Sequence, residues 1–294
     1  MPKHILGVDV GGTKIQAGLV NNKNQIIKTK QFPTNAKNRD IAIKNIAAAI
    51  QYFYSKNVKA IGIGITGFAL PKTGIVAGSP NLPKSWHNVP LKKIIAKKFK
   101  VPVAIDNDGS CVALAEAIKG EGKNYNIVYS LTLGTGVGAG LVINKKLYHG
   151  AQGVTEYGHT IIADRSPRCS CGLYGHLEAL ASGLAMEKIY FQYTGKKMNP
   201  FQIEERAKNR NRAAMKTIAT MSHYLSVGLA NIIHTFNPKI IIIGGGLSKV
   251  DILVKPAIKS VNNKLIYPGL KNTTIVTSRL GYKAGVIGAA LITK

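Results

Sequence analysis

Residues 9–23 read DVGGTKIQAGLVNNK, and residues 132–146 read TLGTGVGAGLVINKK. Each stretch offers an apolar strand, a glycine turn and a returning strand that ends in AGLV, the later copy one residue shorter at the turn. A supersecondary unit that recurs in this way points to an internal duplication. It predicts an α/β chain of two related lobes facing a central cleft, each contributing one glycine hairpin.

Working outward, Ile5–Val10 and Ile15–Val20 are the strands of the first hairpin, and Lys28–Thr34 extends the sheet. Ile41, Ile43, Ile46 and Ile50 recur at helical spacing within Asp40–Tyr54. Ile61–Ile65 and Val101–Ile105 read as buried strands, and Val112–Lys119 as a helix. The second copy opens with the strand Asn126–Leu133 and returns through Ala139–Ile143. Helices are predicted over Ala181–Tyr193, Asn211–Ile233 and Ala284–Leu291, with strands at Lys239–Ile243 and Thr274–Thr277. The expected division is a small lobe over residues 1–118, joined by the C-terminal helix 284–294, and a large lobe over 119–283.

The chain has 294 residues, more than one core usually serves, which agrees with two lobes. No apolar run reaches the roughly 18–20 residues of a membrane span. Met1–His4 lacks the layout of a secretory signal, and three cysteines cannot all pair, so a reducing cytoplasm is the expected setting. Forty basic residues against 13 acidic ones give a net charge of +27. Most are lysines spread in short groups such as Lys92–Lys93 and Lys97–Lys98, with no long basic tail, which favours a solvated surface over a nucleic-acid partner.

Asp9-Val10-Gly11-Gly12-Thr13-Lys14 sits where a strand turns. Amides in such a turn can approach a phosphate because no Cβ intervenes, and Asp9 could hold a magnesium ion or its water. An ordinary hairpin with an acid at its edge fits equally. Gly134-Thr135-Gly136-Val137-Gly138 offers a second cradle on the same grounds. Neither has the Gly-Lys-Ser/Thr ending of a P-loop. Gly62-Ile63-Gly64-Ile65-Thr66-Gly67 fits the dinucleotide pattern, but Phe68-Ala69-Leu70-Pro71 does not open a helix, so that reading is rejected. Gly244-Gly245-Gly246 suits either close approach of a flat ligand such as adenine or a simple strand-to-helix turn.

Asp106-Asn107-Asp108-Gly109 closes a strand. A carboxylate there could accept the proton of an attacking alcohol, with either aspartate as the base and the asparagine orienting hydroxyls; both acids could equally cap the following helix. His159, Cys169, Cys171 and His176 lie within eighteen residues and offer a Cys2His2 set for a structural zinc, against the alternative of a free thiol pair. Glu156 and Glu178 flank that set.

Taken in order, DVGGTK, GIGITG, PNLPKSW (80–86), NDGSCVALAE (107–116), LGTGVGAG, EYGH (156–159), CSCGLYGHLE (169–178), NPKIIIIGGGLS (237–248) and GYKAGVIGAA (281–290) resemble the ROK family of sugar kinases and sugar-sensing repressors. The resemblance implies an actin-like ATPase fold, hexokinase-type and ribonuclease H-like, that phosphorylates a hexose with ATP and catalytic Mg2+, glucose at O6 foremost. It implies Asp108 as the base, and Asn81, Asn107, Asp108, Glu156, His159 and Glu178 as sugar ligands. Asp9, Gly11, Gly12, Thr13 and Lys14 match the first phosphate segment, Gly134, Thr135 and Gly136 the second, and Gly244, Gly245 and Gly246 the adenosine segment. The implied structural zinc is held by His159, Cys169, Cys171 and His176, with the other ring nitrogen of His159 serving the sugar. A homodimer is implied as well.

The chain departs from the family pattern in three ways. His176 replaces a third cysteine, the stretch Gly150–Thr155 is one residue short of the common form, and the charge is unusually basic. N-acetylmannosamine, N-acetylglucosamine and mannose are alternative acceptors, and polyphosphate an alternative donor. A sugar-sensing regulator is the rival of another class; its helix-turn-helix domain would precede Ile5, where no room is expected.

Overall fold

The computed structural model describes residues 3–79, 82–151, 153, 155–164 and 167–294. In chain order the strands and helices begin with β1 (His4–Val10), β2 (Lys14–Val20), β3 (Ile26–Pro33), α1 (Arg39–Phe53), β4 (Val58–Ile65), β5 (Phe68–Leu70) and β6 (Ile75–Gly78). They continue with α2 (Leu91–Phe99), β7 (Val103–Asn107), α3 (Asp108–Lys119), β8 (Ile127–Leu133), β9 (Val137–Ile143) and β10 (Lys146–Tyr148). The remainder are α4 (Glu178–Ala181), α5 (Gly183–Thr194), α6 (Pro200–Lys208), α7 (Arg212–Phe236), β11 (Ile240–Gly244), α8 (Asp251–Val261), β12 (Thr274–Thr277) and α9 (Lys283–Leu291).

Two five-stranded sheets have the orders β3-β2-β1-β4-β7 and β10-β9-β8-β11-β12. Ranked by position in its own copy, each is third, second, first, fourth, fifth, so the duplication extends from the hairpin to a whole sheet. In the first sheet β1 runs antiparallel to β2 and parallel to β4, and β4 parallel to β7. In the second, β8, β11 and β12 are parallel. Parallel strands covered on both faces read as near-continuous apolar runs, as Ile240–Ile243 does.

The chain divides into two compact units: Met1–Asn126 with Gly140–Thr155 and Arg279–Lys294, and Ile127–Ala139 with Glu156–Ser278. These limits differ from the expected 118/119 and 283/284. Residues 119–126 stay with the first unit because Lys145 Nζ donates to the carbonyls of Ala117, Gly122, Lys123 and Tyr125 at 2.7–3.2 Å. Gly140 joins them because it lies against Ala113, Gly109 and Ser110 of α3, where a Cβ would have no room.

The first unit is centred on Leu6, Val8, Ile61, Ile63, Ile46, Ile50 and Trp86, all buried. Trp86 Nε1 donates to the Ala36 carbonyl at 3.0 Å, so the indole is satisfied inside the core. On the other face of the sheet, α9 packs at backbone distance. A Cβ on Gly7 would overlap the Val286 carbonyl, and one on Gly62 the Ala289 carbonyl. That accounts for the Gly62–Gly67 run: Gly62 admits a helix, Phe68–Leu70 is a strand, and no dinucleotide turn is formed.

Several expected boundaries move. Strand 101–105 is β7 at 103–107, and helix 112–119 begins four residues earlier at Asp108, because the Asn107 side chain caps it by accepting from Ser110 N. Helix 181–193 is broken at Ser182, whose hydroxyl caps α5 through Ala185 N. The two hairpin turns, Gly11–Thr13 and Gly134–Gly136, have equal lengths; the missing residue of the second copy lies within β9. α2, α6 and α8 were not anticipated. In α2, Leu91, Ile95 and Phe99 form a buried stripe on an otherwise lysine-rich segment.

Candidate active site

In the first unit, Asp9 is the penultimate residue of β1 and Asp108 the first of α3. Both line a cavity of about 560 Å³ together with Gly11 and Lys14, so four of the expected residues meet. Gln16, Lys30 and Tyr282 also line it and were not anticipated. They come from the returning strand, the edge strand and the segment before α9, places that only strand pairing and helix packing connect.

The cavity is hard on negative charge. Burial first, and then the charge of Asp108, pushes the Asp9 carboxyl up to about 7, with Lys14 pulling the other way. Burial also raises Asp108, against the hydrogen bond its Oδ1 accepts from Gly109 N at 2.9 Å. Two carboxylates facing one cavity disfavour each other's ionisation, and a divalent cation would relieve them. The donor set therefore fits Mg2+.

Asp106 is different. It is 2% exposed and does not line the cavity. Its Oδ2 lies 2.7 Å from His149 Nε2, and its Oδ1 accepts from Asn107 N at 2.7 Å. Asn107 caps α3 through Oδ1 (from Ser110 N, 3.1 Å) and donates from Nδ2 to the Gly67 carbonyl at 3.0 Å. The capping role thus belongs to the asparagine between the two acids. Asn81 lies outside the described residues.

In the second unit, Glu178 opens α4. Its Oε2 accepts from Val137 N at 3.0 Å and its Oε1 from Ser170 Oγ at 2.8 Å, so one side chain joins the second glycine turn to the cysteine loop. A Cβ on Gly136 would overlap Glu178 Oε2. The carbonyls of Gly134 and Thr135 accept from Gly183 N (2.8 Å) and Leu184 N (3.3 Å) at the start of α5. Glu156, partly exposed, precedes the short turn Tyr157–His159.

The glycines separate into two groups. Gly245 has φ +84°, and a Cβ there would overlap the Leu133 carbonyl, so the fold alone requires it. Gly12, Gly134 and Gly246 have ordinary φ, and a Cβ on any of them would meet nothing within 4 Å. Neither backbone strain nor packing demands glycine at those three positions, where the backbone lies open to close approach. Beside Gly244, the hydroxyl of Thr132 is buried without a partner, a feature no motif disclosed.

The ligating atoms of His159, Cys169, Cys171 and His176 all lie within 4.8 Å of one another. His159 Nδ1 is 3.2 Å from His176 Nδ1 and 3.6 Å from Cys169 Sγ, and Cys171 Sγ is 3.2 Å from His176 Nδ1. A tetrahedral zinc with bonds of about 2.0 Å to nitrogen and 2.3 Å to sulfur needs donor–donor edges of about 3.3–3.8 Å, so these residues fit the ion. The imidazole of His176 supplies the position expected of a third thiolate, and burial holds its pKa below the usual value, in the neutral form that ligates. Since His159 turns Nδ1 to the cluster, Nε2 is its second ring nitrogen for other use. Gly172 (φ +95°) and Gly175 (φ +79°) shape the loop.

The motifs of both units therefore recur in the order the sequence suggested, and the ROK family model matches residues 5–294. The chain belongs to the ROK family. Its ROK relatives include the glucokinase of Thermotoga maritima, 34% identical, with 100% of this chain and 98% of that protein covered. A xylose repressor of Bacillus spizizenii is 31% identical over 98% of this chain and 76% of its own length. Among solved structures, a ROK glucokinase from Streptomyces griseus in complex with glucose and AMPPNP superposes with a TM-score of 0.86 at 30% identity, covering 98% of each chain. The ROK fold is the actin-like arrangement expected. Among the described residues, no helix is long and apolar enough to cross a membrane.

Proposed function

We propose that the chain is an ATP-dependent sugar kinase that transfers the γ-phosphoryl group to a hexose, glucose at O6 foremost. The observation that carries this reading is the convergence of Asp9, Lys14 and Asp108 on one cavity beside the unobstructed Gly12. Similarity to two glucokinases across nearly the whole chain supports it.

In this reading Asp108 accepts the proton of the attacking hydroxyl, and burial, which raises its carboxyl pKa, makes it a stronger base. Asn107, Glu156, His159 and Glu178 take sugar hydroxyls. The Gly11 and Gly134 amides close their own turns on the carbonyls of Lys14 and Gly136. The turn segments Gly12–Thr13 and Thr135–Gly136, with the Lys14 ammonium, therefore receive phosphate charge, and Gly244–Gly246 take the adenosine. Orientation and fixed dipoles then carry most of the rate enhancement. Asp9 would hold Mg2+, which supplies charge neutralisation on the phosphates. His159, Cys169, Cys171 and His176 would hold zinc, which cross-links the loop that presents Ser170 to Glu178. A homodimer belongs to the same reading, and sedimentation would check it.

A coupled kinase assay over glucose, mannose, fructose, N-acetylglucosamine and N-acetylmannosamine, with ATP and polyphosphate as donors, tests the proposal. Turnover of glucose with ATP is expected. The xylose repressor among the relatives favours one second reading, a sugar-binding regulator. Sugar binding by calorimetry without turnover on any acceptor would select it.

A further inference from the structure

We infer that His149 is a positioning residue for the Asn107–Asp108 segment, acting through the buried carboxylate of Asp106. Its catalytic meaning rests on the kinase reading above.

Asp106 is 2% exposed, and an ionised carboxylate so enclosed is tolerated only with partners on its oxygens. One partner is Asn107 N; the other is the His149 ring, which reaches it from 43 residues along the chain at 2.7 Å. The connections then run in one direction. His149 holds Asp106 Oδ2, Asp106 Oδ1 holds the amide of Asn107, and the Asn107 side chain holds both Ser110 N and the Gly67 carbonyl. Asp108 lies within that bracket, its Oδ1 accepting from Gly109 N.

His149 is anchored in turn. Its carbonyl accepts from Gly153 N at 3.0 Å, and Gly153, at φ +97°, packs so closely on Pro71 that a Cβ would lie 2.8 Å from its Cδ. The hydrogen bond to Asp106 raises the His149 pKa, so the contact is charge-assisted where the ring is protonated. His149 does not line the cavity, and its side-chain contact toward the Asn107–Asp108 segment is the one to Asp106.

Steady-state kinetics and amide exchange on the intact protein test this. His149→Ala should lower kcat about 10- to 100-fold, the scale on which a small displacement of a reacting group acts, with KM for sugar and ATP moving less than about threefold. His149→Gln, whose amide nitrogen can reach the same carboxylate oxygen, should recover most of the loss. A kcat for His149→Ala within about twofold of the parent, or equal losses in both variants, overturns the inference. Asp106→Asn ends the ion pair while keeping an acceptor for Asn107 N, and it carries the test should His149→Ala not fold. Its kcat should fall on the same scale; a kcat within about twofold of the parent overturns the inference.

The Asn107 and Ser110 amides should exchange faster in His149→Ala and regain protection in His149→Gln. Unchanged protection overturns the inference whether or not any sugar is turned over. A parent protein silent on every acceptor but showing this exchange pattern counts against the kinase reading alone.

Discussion

The turns Gly11–Thr13 and Gly134–Gly136 occupy the same place in two sheets of identical strand order, yet their surroundings diverge. Behind the first stands a carboxylate, Asp9, held up to about 7 by burial and by Asp108. At the matching strand position of the second stands Thr132, whose hydroxyl has no partner. In the first turn Gly12 faces nothing, as Gly134 does in the second, and the Thr13 carbonyl accepts from Thr34 N at 3.0 Å. The second is braced from within, by Glu178 on Val137 N and by the start of α5 on its carbonyls. A duplicated topology has thus been divided into one hairpin backed by a buried aspartate and one tied to Glu178 and the start of α5. A strand–turn–strand frame constrains the backbone but not the chemistry of the residue behind the turn.

The largest test removes the charged partner of the first hairpin. Asp108→Asn should lower kcat about 10²- to 10⁴-fold, the range for loss of a general base, while calorimetry shows sugar still binding. Retention of more than a few per cent of turnover would move the base role elsewhere. On the braced side, metal analysis of protein purified without chelator should find one zinc per chain. Stripping it should lower the melting temperature and release Ser170 from Glu178; a metal-free protein with an unchanged melt would end the zinc assignment.

The two turns can then be compared by one added methyl. Gly136→Ala drives a Cβ into Glu178 and should cost about 1–3 kcal/mol of stability in denaturant titration. Gly12→Ala meets no protein atom and should leave stability within about 0.5 kcal/mol, while raising the ATP KM. Equal stability losses would erase the distinction between the two turns.

The smallest effect concerns pH. The folded pKa of Asp9 lies above its unfolded value, so the folded state holds that proton more tightly. The contribution is complete below about pH 4 and is lost as pH rises through about 7. Without Mg2+, Asp9→Asn should therefore melt higher than the parent at pH 8, with the difference shrinking toward pH 4. A difference independent of pH would mean that Asp9 titrates normally.

Much of this was legible in residue order. The repeated AGLV hairpin announced the duplication, and the spacing of His159, Cys169, Cys171 and His176 announced a cluster that does converge. α2 escaped notice because four lysines masked the stripe Leu91, Ile95, Phe99. The start of α3 escaped because Asp-Gly-Ser is a poor helix opening until Asn107 caps it.

By itself, the sequence determined the local matters: strand and helix periodicity, the glycine turns, the duplicated order and the compact ligand set, all set by neighbours a few residues apart. Residue spacing left Asp106 and Asp108 alike, and only the resemblance chose between them. The tertiary structure shows how differently the two are surrounded, since both sit at one strand end and differ in what reaches them from afar. His149 arrives from 43 residues away to bury one acid in an ion pair, while β1 and β2 bring Asp9 and Lys14 to face the other. The environment that divides two adjacent carboxylates is built by distant segments, and sequence spacing carries no record of it.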